Sequence, residues 1–489
     1  MPRLVALGDS MTQGVNSGAV WKTQWSYPAL VARCLGESVG FGGGFDFCVP
    51  HYGMGGLPLN IERLLHDLQF QLGGGGLDLI DWVLAAKPAV ENWLEERDEY
   101  YEHGYGARAR SFAGPYHLLA CFSFTVADLY GITGEYCDAV IRRRRWDERS
   151  QLIEKFPSSA VYRAARRILN PAAKHRLNKH AMVDWLGEIE RSQGPIENLI
   201  LNIGLNNAAG TVTSLEIVET GPEPPKTSLH EEFSLWHPAA FEASYRELAQ
   251  RIDEQTDARV FVATLPYVTI APLLRGVGPR AFGPKGEHYE FYIHFYNTDD
   301  DPDPADTKHL TVDNVLYIEG RIDAYNEAIR SIADEFDWHI VDNAWLLNGL
   351  AGREDYRPDV FLRRFLGGGD HPLLQLKPLP RLELYRVDEE GNRYAGGLVS
   401  LDCFHGSTCG LGLLARLFVN ALLEAGVEFR DAAGEPRPPD EVELPWERII
   451  AVDHLLMSPP PLWQDLLQAG EHVAEIWERI GGVISLFSQ

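Results

Sequence analysis

Short apolar segments alternate with amphipathic segments along most of the chain, and this alternation constrains the fold more than any other sequence feature. The apolar segments have the length of buried strands and lie at residues 3–7, 117–121, 199–203, 259–264 and 338–341. Helical periodicity separates several of them; between Ile318 and Phe336, apolar residues recur every three or four positions. Such alternation predicts an α/β fold in which helices cover both faces of a parallel sheet.

The first polar motif is Gly8-Asp9-Ser10, which directly follows the first predicted strand. In parallel sheets the reactive groups lie beyond the carboxyl ends of the strands, so this position exposes the Ser10 hydroxyl at the end of the sheet. A bare Gly-Asp-Ser arises by chance in roughly one chain in ten of this length. The interpretation of Ser10 as a reactive residue therefore depends on its location directly after the strand.

A second motif, Asp402-Cys403-Phe404-His405, lies just before a helix predicted over residues 410–423. An aspartate and a histidine three residues apart in a tight turn can hydrogen-bond through Nδ1 of the histidine. That bond leaves Nε2 able to take a proton from a serine. The competing interpretation is an ordinary surface turn.

The third motif is Gly204-Leu205-Asn206-Asn207, after the strand at 199–203. A side-chain amide at that position can donate a hydrogen bond to an oxyanion. Asparagine also caps helix N-termini well, which is the alternative explanation for Asn206.

Together these motifs resemble the SGNH hydrolase superfamily of GDSL esterases and lipases, in the order in which that family carries them. The resemblance implies a three-layer sandwich with a parallel sheet, of the SGNH or flavodoxin-like kind. It makes Ser10 the nucleophile, His405 the general base and acid, and Asp402 the residue that orients His405. It also makes the Asn206 side chain and the Ser10 backbone N–H oxyanion donors. Asn207 stands where the family usually has aspartate.

The family has one further oxyanion donor, the backbone N–H of a glycine. Ser123 occupies the corresponding position after the predicted strand at 117–121, and a serine can supply the same N–H if the backbone tolerates its side chain. Gly53 and Gly56 are the alternatives. We favour Ser123, because a strand precedes it and a helix is predicted from Thr125 to Gly131.

The predicted activity is that of a serine ester hydrolase that acts through an acyl-enzyme intermediate, on a small-molecule or lipid ester. The same catalytic set serves carbohydrate O-acetylesterases, which is the first alternative. The second is a non-catalytic binding protein on the same scaffold. We expect no cofactor and no metal ion.

The 489 residues suggest about three domains at roughly 150 residues each. The predicted triad nevertheless draws on both the first and last core segments, so we interpret residues 1–425 as one domain. Large, mostly helical insertions are expected near 36–115, 136–181, 211–256, 276–314 and 349–397. Residues 426–489 are expected to form a helical C-terminal extension packed on the core.

A formal net charge of −26 repels phosphate backbones, so nucleic acid is not an expected partner. The chain has no run of 18 apolar residues and no visible signal peptide, and we therefore expect no membrane-spanning segment and a cytoplasmic location. The six cysteines lack metal-binding spacing and are interpreted as free buried thiols.

Three other features of the sequence are interpreted without a ligand. The glycine-rich segment 40–44 lacks the flanking strand and helix of a dinucleotide-binding loop. Asp299, Asp301 and Asp303 alternate as in a calcium loop, but Pro304 and Leu310 stand where an EF-hand needs glycine and glutamate. The four arginines at 142–145 are interpreted as a solvated helix face.

Overall fold

A five-stranded parallel sheet forms the centre of the molecule in the computed structural model. The model describes residues 1–72, 79–147, 159–225, 233–283, 285–295, 297, 302–353, 356–431 and 433–460. The strands are β1 (Leu4–Gly8), β2 (Leu118–Ala120), β3 (Asn198–Asn202), β4 (Arg259–Ala263) and β5 (His339–Val341). Their spatial order is β2-β1-β3-β4-β5, and every neighbouring pair is parallel. The predicted α/β fold around a parallel sheet is confirmed.

Successive residues of β1 pack into two different hydrophobic clusters. Val5 and Leu7 belong to one cluster, whereas Leu4 and Ala6 belong to the other. The first cluster contains residues of the helices Asp184–Gln193, Asn206–Ser214, Pro238–Gln255 and Val312–Glu335. The second contains residues of the helices Tyr27–Cys34, Asn343–Leu350 and Thr408–Glu424. Strands that are apolar on both sides are therefore buried on both faces of the sheet.

Most predicted core elements occur within a few residues of their predicted bounds. The helix predicted from Thr125 is shorter and spans Asp128–Gly131. The reason is local: the Asp128 carboxylate accepts hydrogen bonds from the Thr125 backbone N–H and hydroxyl, both at 2.8 Å, and holds the preceding residues in a turn.

The first two insertions are largely helical. Helices lie at Ile61–Leu72, Leu79–Glu102, Gly134–Asp147 and Ala160–Leu169, with 3₁₀ turns at Tyr105–Ala107 and His175–Leu177. Short strands also lie in the first insertion, at Val39–Phe41, Phe47–Val49 and Leu57–Pro58. Before this insertion come the short strands Val15–Asn16 and Ala19–Val20 and a 3₁₀ turn at Thr23–Trp25.

The described part of the insertion near 276–314 is mainly a β-hairpin, so the expectation that it is mostly helical was wrong there. Antiparallel strands Leu274–Gly283 and Gly286–His294 form a long hairpin, and Leu310–Thr311 pairs with its second strand. The hairpin places Val277, Phe291 and Ile293 in one small cluster. Residues two apart on a strand share a face, so this burial needs the strand period rather than the helical one.

The insertion near 349–397 mixes both element types, with a helix at Pro358–Phe365, a 3₁₀ turn at Pro372–Gln375 and a hairpin of Tyr385–Val387 with Arg393–Ala395. The C-terminal extension contains strands Phe429–Arg430 and Pro436–Arg437, a 3₁₀ turn at Pro439–Glu441, and helices Trp446–Val452 and His454–Met457. Trp446 and Ile449 pack into the second cluster. Residues 461–489 of the predicted extension lie outside the described part of the chain.

All six cysteines are free and buried, as predicted. Among the described residues, no helix combines the length and apolar character that crossing a bilayer requires. Asp299 and Asp301 of the acidic loop lie outside the described residues.

Candidate active site

Ser10 is the first residue of a short helix, Ser10–Gln13, that begins directly after β1. The Asp9 carboxylate caps this helix by accepting a hydrogen bond from the Met11 N–H at 3.0 Å. A Cβ on Gly8 would lie 2.2 Å from Oγ1 of Thr12 and 2.4 Å from the Asn202 carbonyl oxygen. Glycine is therefore required for the sharp turn that puts Ser10 at the carboxyl edge of the sheet.

Asp402 and His405 form a buried pair in the turn before the helix Thr408–Glu424. His405 Nδ1 lies 3.1 Å from Oδ2 of Asp402. Oδ1 of Asp402 accepts hydrogen bonds from the backbone N–H groups of Phe404, at 3.0 Å, and His405, at 2.8 Å. Cys403 adopts a left-handed φ of 63°, which closes the turn. The carboxylate thus fixes both the loop and the imidazole.

The loop after the Ser10 helix is hydrogen-bonded to this turn, although the two are nearly 400 residues apart in sequence. The Gly18 N–H donates to Oδ2 of Asp402 at 2.8 Å, and the Ser17 N–H donates to Oγ of Ser400 at 2.9 Å. The Asn16 side-chain amide donates to the Gly406 carbonyl oxygen at 3.2 Å. These bonds hold the Asp402–His405 turn beside the segment that carries Ser10.

Ser10 and His405 are both nearly inaccessible to solvent, with 4% and 1% of their surface exposed. The charge of His405 is close enough to lower the pKa of Asp9, the residue before Ser10. The side chains of Ser10 and His405 are therefore shielded from bulk water.

Ser123 and Asn206 follow the two strands that flank β1: Ser123 lies in the loop after β2, and Asn206 begins the helix after β3. The Asn206 amide donates to the Phe124 carbonyl oxygen at 2.9 Å, which ties the two segments together. Ser123 has a φ of 62°, in the left-handed region that glycine adopts most easily. The backbone at Ser123 is thus the one that a glycine would favour, although a serine stands there.

Gly53 and Gly56 form a separate turn. The Gly56 N–H donates to the Gly53 carbonyl oxygen at 3.0 Å, so this N–H is already engaged. The Tyr101 hydroxyl contacts both carbonyl oxygens, at 2.7 Å from Gly53 and 2.9 Å from Gly56. This arrangement disfavours Gly56 as the backbone donor.

The two buried carboxylates of the site differ in their protonation. Burial raises the pKa of Asp9 to about 7, and this effect outweighs the opposing Met11 N–H and the charge of His405. Burial also acts to raise the pKa of Asp402. There the charge of His405 and the hydrogen bonds from His405 and Gly18 prevail, and the pKa lies below its ordinary value. Asp402 is therefore an anion at neutral pH, as an orienting residue must be.

A small apolar cavity adjoins the site, with a volume of about 50 Å³. Its wall includes Met11, Leu205, Phe404 and Gly406, the sequence neighbours of the predicted site residues Ser10, Asn206 and His405. The remaining wall is mostly apolar and includes Tyr267, Val268, Ile270, Leu347, Leu350, Leu413 and Leu414.

Sequence reasoning assigned no role to Gln13. Its side-chain oxygen accepts a hydrogen bond from the Phe122 N–H at 2.9 Å, and its amide donates to the Tyr52 hydroxyl at 3.3 Å. Gln13 therefore braces the loop that carries Ser123 against the helix that carries Ser10. Its position three residues after Ser10, one helical turn on, is the only sequence signal for this role.

Searches of protein-family models, of curated proteins and of solved structures found no match to this chain. Within the described ranges, no group of three or more His, Cys, Asp or Glu side chains could hold a metal ion.

Proposed function

We propose that this protein is a serine ester hydrolase with an SGNH-like sandwich fold. The observation that carries the proposal is the buried Asp402–His405 pair. Its aspartate accepts a hydrogen bond from Gly18, which lies in the segment that follows Ser10. A carboxylate on Nδ1 of a histidine orients the imidazole so that it can activate a serine hydroxyl, and Ser10 at the end of β1 is the candidate serine. The strand order β2-β1-β3-β4-β5 supports the fold, because it is one of the two common orders of doubly wound sheets.

In the proposed reaction, Oγ of Ser10 attacks the ester carbonyl while Nε2 of His405 takes its proton. Asp402 stabilises the resulting imidazolium. The N–H groups of Ser10 and Ser123 and the amide of Asn206 stabilise the tetrahedral oxyanion, and each such donor contributes roughly 3–4 kcal/mol to the transition state. His405 then returns the proton to the leaving alcohol, and water releases the acyl group by the same steps.

The apolar cavity supports an acyl-chain substrate over an acetylated sugar. A single water needs roughly 10–15 Å³ of cavity volume, so a cavity of about 50 Å³ accommodates a few carbon-sized groups. An acetyl group does not need such a space, whereas an acyl chain of a few carbons fills it. We therefore propose short acyl esters as the substrate class.

The first test is labelling by a fluorophosphonate, which reacts with activated serines. We expect the full-length protein to be labelled once, at Ser10, and Ser10→Ala to lose both labelling and ester hydrolysis with its fold unchanged by circular dichroism. The control is Ser26→Ala, which removes another fully buried serine hydroxyl. Unchanged turnover in Ser10→Ala would eliminate the proposal.

A second test compares nitrophenyl esters of increasing acyl length with acetylated sugars. Rates that peak at about four carbons would support the cavity as the acyl site, because each buried methylene contributes about 0.8 kcal/mol until the space is full. Preference for acetylated sugars would favour an O-acetylesterase. Absence of labelling and of turnover on every substrate would favour a non-catalytic binding protein.

A further inference from the structure

A second cavity, of about 220 Å³, lies between the first two insertions and is dominated by arginine side chains. Six arginines line it: Arg108, Arg110, Arg142, Arg163, Arg166 and Arg167. Among the described residues of its wall, Asp138 carries the only carboxylate. In a chain with a net charge of −26, such a concentration of positive charge needs an explanation.

Two of the six guanidinium groups are neutralised within the protein. Arg163 forms an ion pair with Glu102 at 3.2 Å, and Arg166 forms one with Asp138 at 2.5 Å. For the other four arginines, no ion pair is present within the described part of the chain. The cavity therefore carries an excess of positive charge.

Arg167 and Arg110 show this excess most directly. Arg167 is only 8% exposed, and its guanidinium donates to the backbone carbonyl oxygens of His51, at 3.0 Å, and Gly106. Those carbonyls accept two of its hydrogen bonds without cancelling its charge. Burial and the neighbouring charge of Arg110 lower the pKa of Arg167.

Arg110 stacks its guanidinium 4.4 Å from the centre of the Tyr105 ring. Its Nη2 is buried and has no hydrogen-bond acceptor among the described residues. A buried guanidinium N–H without an acceptor is costly, and an anionic oxygen in the cavity would satisfy it. Arg142 lies on the helix Gly134–Asp147 at the same cavity and belongs to the arginine run at 142–145.

We propose that this cavity is a binding site for an oxyanion of the phosphate type, free or carried by a small phosphate ester. Arginine suits this role because its planar fork donates two parallel hydrogen bonds to a tetrahedral oxyanion. The volume exceeds what a phosphate alone needs, which leaves room for the remainder of an ester. The assignment does not depend on the proposed hydrolase activity.

Calorimetric titration of the full-length protein with sodium phosphate tests the proposal, with sodium chloride added to keep the ionic strength constant. We expect saturable binding with a stoichiometry of one. Arg110→Gln and Arg142→Gln should each weaken it at least fivefold, and the double variant at least twentyfold. Glycerol phosphate titrated in the same way distinguishes an ester ligand, by tighter binding, from free phosphate.

Arg176→Gln is the matched control. Arg176 is an exposed arginine that does not line the cavity, and its guanidinium lies 3.3 Å from the carboxylate of Glu188. It should bind phosphate as the unmodified protein does, and so should Ser10→Ala. Arg142 is exposed, so its replacement tests the site even if Arg110→Gln does not fold. Absence of saturable binding, or equal weakening in Arg176→Gln, would overturn the proposal.

Discussion

At the scale of single residues, the site combines two buried aspartates with opposite properties. Asp402 receives three backbone N–H donors and the imidazole of His405, so its charge is stabilised. Asp9 receives the Met11 N–H, and burial leaves its charged form unfavourable near neutral pH. The sequence shows two aspartates in two motifs; the difference between them comes from the partners that folding assembles.

Replacing Asp9 with asparagine should make the protein more stable at alkaline pH. The pKa of Asp9 is raised from 3.8 to about 7, so its contribution to stability is fully present below pH 3.8 and is lost as the pH rises through 7. Asp9→Asn removes that loss while keeping an acceptor for Met11. We expect its stability advantage in urea unfolding to grow by about 3 kcal/mol between pH 5 and pH 8.

Glu37, a second buried acid, does not affect the comparison between Asp9→Asn and the unmodified protein. Burial raises its pKa to about 7 as well, but it is present in both proteins and cancels in the difference. An advantage that stays constant with pH would show that Asp9 ionises normally in the folded protein.

Ser123 offers a prediction about backbone conformation. Its φ of 62° costs an L-residue energy that glycine does not incur. Ser123→Gly should therefore be about 1 kcal/mol more stable than Ser123→Ala, a comparison in which both variants lack the hydroxyl. Ester hydrolysis should survive in Ser123→Gly, because the proposed contribution is the backbone N–H. Equal stability of the two variants, measured by urea unfolding, would contradict the left-handed assignment.

At the scale of elements, a buried ion pair joins the long hairpin to the helix Val312–Glu335. Arg353 Nη2 lies 3.1 Å from Oε1 of Glu319, and Arg353 Nη1 donates to the Glu287 carbonyl oxygen of the hairpin at 3.0 Å. The Thr269 hydroxyl also donates to Glu319, at 2.6 Å. Glu319 is fully buried, and its pKa is raised by burial despite the charge of Arg353.

Arg353→Met should lower the unfolding free energy by about 3–5 kcal/mol at pH 8, because it leaves the Glu319 charge buried without a partner. The loss should be smaller at pH 5, where Glu319 takes up a proton in the variant. Arg381→Gln is the control: it breaks an exposed pair with Asp359 at 3.1 Å and should cost less than 1 kcal/mol. If Arg353→Met also lowers the unfolding free energy by less than about 1 kcal/mol, the Arg353–Glu319 pair does not stabilise the hairpin.

At the scale of the whole molecule, the core is assembled from both ends of the chain. β1 lies between β2 and β3 in the sheet, and the helix Thr408–Glu424 packs on the helix Tyr27–Cys34. Tyr27 and Phe418 stack with their ring centres 4.9 Å apart. One face of the sheet therefore depends on segments that lie far apart in the sequence.

A fragment that ends at residue 397 should consequently fail to unfold cooperatively in urea, since it lacks the helix Thr408–Glu424 and exposes the second cluster. The control is a full-length variant in which the hairpin turn 388–392 is shortened to Asn-Gly, which removes only exposed or half-buried residues around Gly391. That variant should unfold cooperatively. Cooperative unfolding of the truncated fragment would show that residues 1–397 form a core of their own.

The local features of this protein could be predicted from its sequence because their causes are local. Alternating apolar segments identify the strands of the sheet, and the short-range spacing of Asp402 and His405 identifies their pairing. The hairpin at Leu274–His294 could not be recognised, because its strands are stabilised by each other rather than by a repeating apolar pattern. The shift in the pKa of Asp9 depends on how many groups surround it, which no local pattern encodes.

The sequence by itself determined the five strands of the central sheet, most of the core helices and the side chains that carry the candidate chemistry. Only the tertiary structure decided that β1 is central, that Gly18 donates to Asp402, and that arginines from two insertions meet in one cavity. The physical reason is sequence separation. Contacts between segments tens to hundreds of residues apart form only after loop closure has been offset by burial of the whole core, so they depend on every segment at once.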